Sequence, residues 1–63
     1  MSIIVVKREG RVGMWHNQES GRYGVYLYEH EGWREDEPWL LFAIRNSEEG
    51  ALEIFDAVAS LLR

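Results

Sequence analysis

The hydrophobic period of this chain changes once, near Asn46, and that switch constrains the fold more than any other feature. Before it, apolar residues alternate or run in short β-branched blocks, the pattern of strands. After it they recur at helical spacing. A chain of 63 residues is one domain, spanning residues 1–63. The reading is an α+β domain: a four-stranded antiparallel meander in the order β-β-β-β-α, with one C-terminal helix packed on one sheet face. Short turns between successive strands favour hairpins over crossovers.

The first strand is expected over Ser2–Arg8. Its run Ile3-Ile4-Val5-Val6 is apolar on both faces, which suits a central strand or one at a dimer seam. Glu9-Gly10 closes a tight hairpin, with Gly10 supplying the positive φ that such turns favour. A second strand follows over Arg11–His16. Val12, Met14 and His16 share one face, and Gly13, Trp15 and Asn17 the other. Residues 17–21 have turn composition. The third strand, Arg22–Glu29, alternates clearly: Tyr23, Val25 and Leu27 point one way, Gly24, Tyr26 and Tyr28 the other. Pro38 cannot donate to a ladder and belongs at a strand start or an edge. The fourth strand is then Trp39–Arg45, with Leu40, Phe42 and Ile44 opposite Trp39, Leu41 and Ala43.

Asn46 or Ser47 caps the helix, and Asn46 with Glu49 approximates a capping box. Glu48 and Glu49 complement the positive end of the helix dipole. Ala51, Phe55, Val58 and Leu62 centre an apolar sector flanked by Leu52, Ile54, Ala59 and Leu61. That sector covers about half the circumference, wider than a helix lying on a core needs. Either the helix sinks into a curved sheet or one flank meets another chain.

Eight aromatic residues are present, and seven of them, from Trp15 to Phe42, fall in the strand-forming half. The more aliphatic strand faces, Tyr23-Val25-Leu27 and Leu40-Phe42-Ile44, are assigned to the helix. Trp15, Tyr26, Tyr28 and Trp39 then lie on a second face that one helix cannot cover. Trp and Tyr dominate binding hot spots because they contribute large area with few rotatable bonds. These four side chains are the expected anchors for a protein partner, with Trp33 on the acidic connection as a further contact. Glu35, Asp36 and Glu37 would add charge complementarity. The function expected is a small non-catalytic interaction or inhibitory module, with a homodimer as one assembly open to it. Cross-strand aromatic pairing would account for the same rings without any ligand.

Charge is unevenly placed. Residues 1–34 hold five basic and four acidic groups, a balance of +1; residues 35–63 hold two basic and seven acidic groups, a balance of −5. Duplex DNA binding usually needs a strong basic excess, which is missing here. Single-stranded nucleic acid is the alternative partner: the same aromatics would stack bases while Lys7, Arg8, Arg11 and Arg22 track phosphates. The strand-strand-strand-strand-helix order is similar to that of small folds that bind single-stranded DNA as dimers, a likeness of topology alone. A third reading is an acidic nucleic-acid mimic that blocks a nucleic-acid-processing enzyme through Glu35, Asp36 and Glu37.

Other classes are set aside. Without cysteine there are no disulfides and no thiolate zinc site, and His16 and His30 are the only imidazoles. No metal or cofactor is expected. The four serines, Ser2, Ser20, Ser47 and Ser60, fall in a terminus, a turn, a helix cap and the polar helix face, and no glycine-rich phosphate loop precedes a helix. Enzymatic activity is not expected. The apolar run Ile3–Val6 is too short for a membrane span or a signal-peptide core, and the chain reads as cytoplasmic.

Overall fold

The computed structural model describes residues 3–34 and 37–62. Strands β1 (Ile3–Glu9), β2 (Val12–Asn17), β3 (Tyr23–Leu27) and β4 (Leu40–Arg45) precede helix α1 (Glu48–Leu62). The strands form one open antiparallel sheet in the order β1-β2-β3-β4. The α+β meander expected from the change of period is the observed architecture.

Local chemistry accounts for the turns. Glu9 pairs with Val12 across a two-residue loop, and Gly10 takes φ 60°, a conformation costly for any residue with a Cβ. At the β2–β3 connection Asn17 Oδ1 accepts from the backbone N–H groups of Glu19 and Ser20 at 2.9 and 3.2 Å, and Gly21 sits at φ 75°. The helix cap is Ser47 rather than Asn46: its Oγ accepts from the Gly50 N–H at 3.1 Å. β3 is shorter than expected. Its ladder still gains one more link, because the Tyr28 N–H donates to the Arg11 carbonyl at 2.7 Å.

The helix packs across β2, β3 and β4. Val12, Met14 and Val25 of the sheet meet Ala51, Phe55, Val58 and Ala59 of the helix, all buried, with Tyr23, Leu27, Leu52 and Ile54 packed at the margin. Tyr23, Val25 and Leu27 thus face the helix as their alternation implies. The helical stripe sinks into the sheet over its first three turns. Its last turn departs from the core, and Leu61 is 83% exposed.

The assignment of β4 needs correction. Val25 stands opposite Ala43 and Gly24 opposite Ile44, so Ala43 shares the helix side with Val25 while Ile44 lies on the far side. Tyr26 then pairs with Leu41, which leaves Phe42 outside the ladder as the extra residue of a bulge. One inserted residue inverts the parity of everything beyond it. β1 carries the same device, with Val6 unpaired between Val5–Trp15 and Lys7–Met14. Nor is the run Ile3–Val6 central. In a simple meander the first and last strands are the edges, and β1 and β4 occupy them.

Candidate partner-binding surface

The far face of the sheet is where most of the aromatic anchors were expected, and it is closed around Tyr26 and Tyr28. Tyr26 is opposite Gly13, and its ring fills the space that a side chain on Gly13 would take: a Cβ there would come within 2.8 Å of Tyr26 Cε2. The neighbouring pair is reciprocal. Trp15 is opposite Gly24, and a Cβ on Gly24 would come within 2.5 Å of the indole. Two glycines on adjacent strands each receive an aromatic ring from across the ladder, which lets large rings lie close to the sheet.

Arg8 seals this arrangement. It stands beside Gly13 on the far face, with its guanidinium carbon 3.7 Å from the centre of the Tyr28 ring. Its Nη1 donates to the Trp33 carbonyl at 2.6 Å, its Nη2 to the Glu31 carbonyl at 2.8 Å and its Nε to the Gly10 carbonyl at 3.2 Å. One planar cation therefore holds the β3–β4 connection against the sheet while stacking on an aromatic face, a combination suited to arginine. Beneath it, Tyr28 Oη donates to Tyr26 Oη at 3.2 Å and the two rings meet edge to face at 5.3 Å. Tyr26 is 1% exposed and Tyr28 fully buried. The expectation that these two rings face solvent is corrected: the connection covers the Tyr26–Tyr28 part of the second face, while Leu41 and Ile44 on that face stay exposed.

The remaining anchors are dispersed. Trp15 is half-buried over Gly24. Trp33 is half-buried, with its ring edge-on to exposed His30 at 5.0 Å. Trp39 is 63% exposed and sits immediately before β4, its N–H donating to the Leu27 carbonyl at 2.8 Å. Pro38 precedes it at the entry to an edge strand, a position where its missing N–H breaks no ladder bond. Glu35 and Asp36 lie outside the described residues, and Glu37 pairs with Arg34 at 3.4 Å on the surface.

The four basic residues do not form one track. Lys7 and Arg8 are on opposite faces. Lys7 reaches over the Phe55 ring at 4.9 Å and approaches Asp56 at 3.8 Å, whereas Arg8 is engaged by backbone carbonyls beside Tyr28. Arg11 Nε donates to the Tyr28 carbonyl at 3.2 Å. Arg22 is exposed at the β2–β3 turn. His16 stacks on Tyr23 with ring centres 4.2 Å apart. Among the described residues no three His, Asp or Glu side chains group to hold a metal, and no helix is long and apolar enough to cross a membrane.

Leu40, Phe42 and Ile44, which alternation assigned to the helix-facing side, are instead exposed, beside Trp39 and Leu41. Trp39, Leu40, Leu41, Phe42 and Ile44 are consecutive or nearly so, and each is exposed by 41–63%. The signal was present in the chain order, because a fourth strand of a meander is an edge whatever its composition. Alternation assigned the faces of this strand without regard to its place in the sheet, and the bulge at Phe42 then broke that alternation. Compared with known protein families, characterised proteins and solved structures, the chain matches none.

Proposed function

We propose that this chain is a small non-catalytic protein-binding module whose contact surface is the β4 edge from Trp39 to Ile44. One observation carries the reading: five large apolar side chains, including the two most exposed aromatics among the described residues, crowd the six residues Trp39 to Ile44 at a strand with no neighbour on its outer side. Exposed apolar surface of this extent on so small a domain is a mark of association, and Trp at such a position is the commonest kind of hot spot. The anchor set differs from the sequence expectation. Trp39 remains, Leu40, Leu41, Phe42 and Ile44 join it, and Tyr26 and Tyr28 leave it for a structural role. Glu37, next to Pro38 at the strand entry, contributes charge at the rim.

The test is capture from host lysate by the immobilised protein, in parallel with Trp39→Ala, Leu41→Lys and Glu53→Ala. Proteins retained by the parent and by Glu53→Ala but lost with both β4 variants would support the reading. Capture that ignores Trp39 and Leu41 would refute it. Retention of an oligo-dT strand at low salt that depends on Arg22 rather than Trp39 would favour a nucleic-acid partner instead.

A further inference from the structure

Two strands have open outer sides, and they are not equivalent. β1 carries Lys7, Arg8 and Glu9 in its second half, and charged residues along an edge oppose pairing with another chain. β4 carries a single charge, Arg45, at its last position, behind the run Leu40-Leu41-Phe42-Ala43-Ile44. β1 also exposes Ile3, Ile4, Val5 and Val6 by 38–50%, but charge guards its second half, whereas no charge interrupts β4 before Arg45.

Charge also gives β4 a direction. Its entry is flanked by the acidic Glu37 and its exit is the basic Arg45. Antiparallel pairing of β4 with an identical strand brings the Arg45 end of each copy to the Trp39–Glu37 end of the other. The exposed guanidinium, whose Nη1 donates to the Ile44 carbonyl at 2.8 Å, then meets an exposed indole and the carboxylate that Glu37 shares with Arg34, both favourable partners. Parallel pairing would set like against like. The five exposed residues present roughly 500 Å² per protomer, so about 1,000 Å² is the ceiling on what pairing of two copies removes from water, at the small end of specific interfaces.

We infer that the partner of the β4 edge is a second copy of this chain, the two β4 strands pairing antiparallel across a two-fold axis to make one eight-stranded sheet. This rests on the reading of Trp39–Ile44 as a binding surface and names its occupant. An isologous contact of this kind closes on itself, whereas β1-to-β4 pairing would propagate without end.

The experiment is light scattering and sedimentation velocity from micromolar to submillimolar protein, with Leu41→Lys, with Ile3→Lys on the other edge, with Arg45→Glu, and with Arg45→Glu combined with Glu37→Arg. The expected result is a mass rising to twice 7.4 kDa, lost in Leu41→Lys and retained in Ile3→Lys. Arg45→Glu weakens the dimer several-fold, and the charge-swapped double variant recovers it. Hydrogen exchange of the unsubstituted chain gives a second readout in case Leu41→Lys fails to fold: β4 amides gain protection as concentration rises, and β1 amides do not. A strict monomer overturns the inference and would mean that the bulge at Phe42 is enough to guard the edge. A dimer abolished by Ile3→Lys but not by Leu41→Lys overturns it, as does open-ended assembly. A monomer that still captures another protein through Trp39 overturns this inference while leaving the binding reading intact.

Discussion

The indole of Trp15 occupies the side-chain space of Gly24 on the neighbouring strand, so that a methyl placed on Gly24 would lie 2.5 Å from both Cε2 and Cζ2. The adjacent Gly13–Tyr26 pair repeats the relationship in the opposite sense, at 2.8 Å. Each ring needs its glycine.

The two pairs differ in how they can yield. Trp15 is half-buried and can swing toward solvent, whereas Tyr26 is enclosed beneath Arg8 and Tyr28. Gly24→Ala is expected to cost about 1 kcal/mol, and Gly13→Ala about 2–3 kcal/mol, the range for overpacking a site with little room to relax. Urea denaturation of the two variants checks the order; equal costs would show that Tyr26 moves as readily as Trp15.

Arg8→Lys tests the clamp on the β3–β4 connection. Lysine keeps the charge but cannot donate to the Trp33 and Glu31 carbonyls at once while stacking on Tyr28. A loss of about 2 kcal/mol is expected, the scale of a partly buried charge-assisted hydrogen bond. Hydrogen exchange should quicken in residues 28–34 and leave β2 unchanged. If Arg8→Lys matches the parent in both measurements, the connection is held by something else.

Phe55 is the largest helix side chain in the core and is fully buried between the helix and the sheet. Phe55→Ala should cost about 3–5 kcal/mol. A domain this small has a total stability of only a few kcal/mol. Circular dichroism at room temperature is expected to show a largely unfolded chain, and a cooperative transition near that of the parent would contradict the packing described.

Two changes on the helix surface should separate a cap from an ion pair. Ser47→Ala removes the acceptor for the Gly50 N–H and should cost about 1 kcal/mol. Asp56→Asn removes a contact to Lys7 between two well-exposed side chains and should cost less than about 0.5 kcal/mol. Thermal melts of both variants decide; an Asp56→Asn cost above that of Ser47→Ala would mean that Lys7 is held more firmly than its exposure implies.

Much of this molecule was legible in its residues. The single change of period near Asn46 determined the element order. Gly10 marked the first hairpin, and the regular alternation of Tyr23, Val25 and Leu27 assigned β3 to the helix. Each of these is a local signal, readable within one element or one turn. The tertiary structure alone decided the rest. Alternation reports a shared face only while the ladder is unbroken, and the bulges at Val6 and Phe42 break it, placing Ile44 opposite Gly24 on the far face. The closure of Tyr26 and Tyr28 depends on Arg8 meeting the carbonyl of Trp33, 25 residues away. No local period encodes a contact of that span, because which loop folds back across which face is settled only when the whole sheet is assembled.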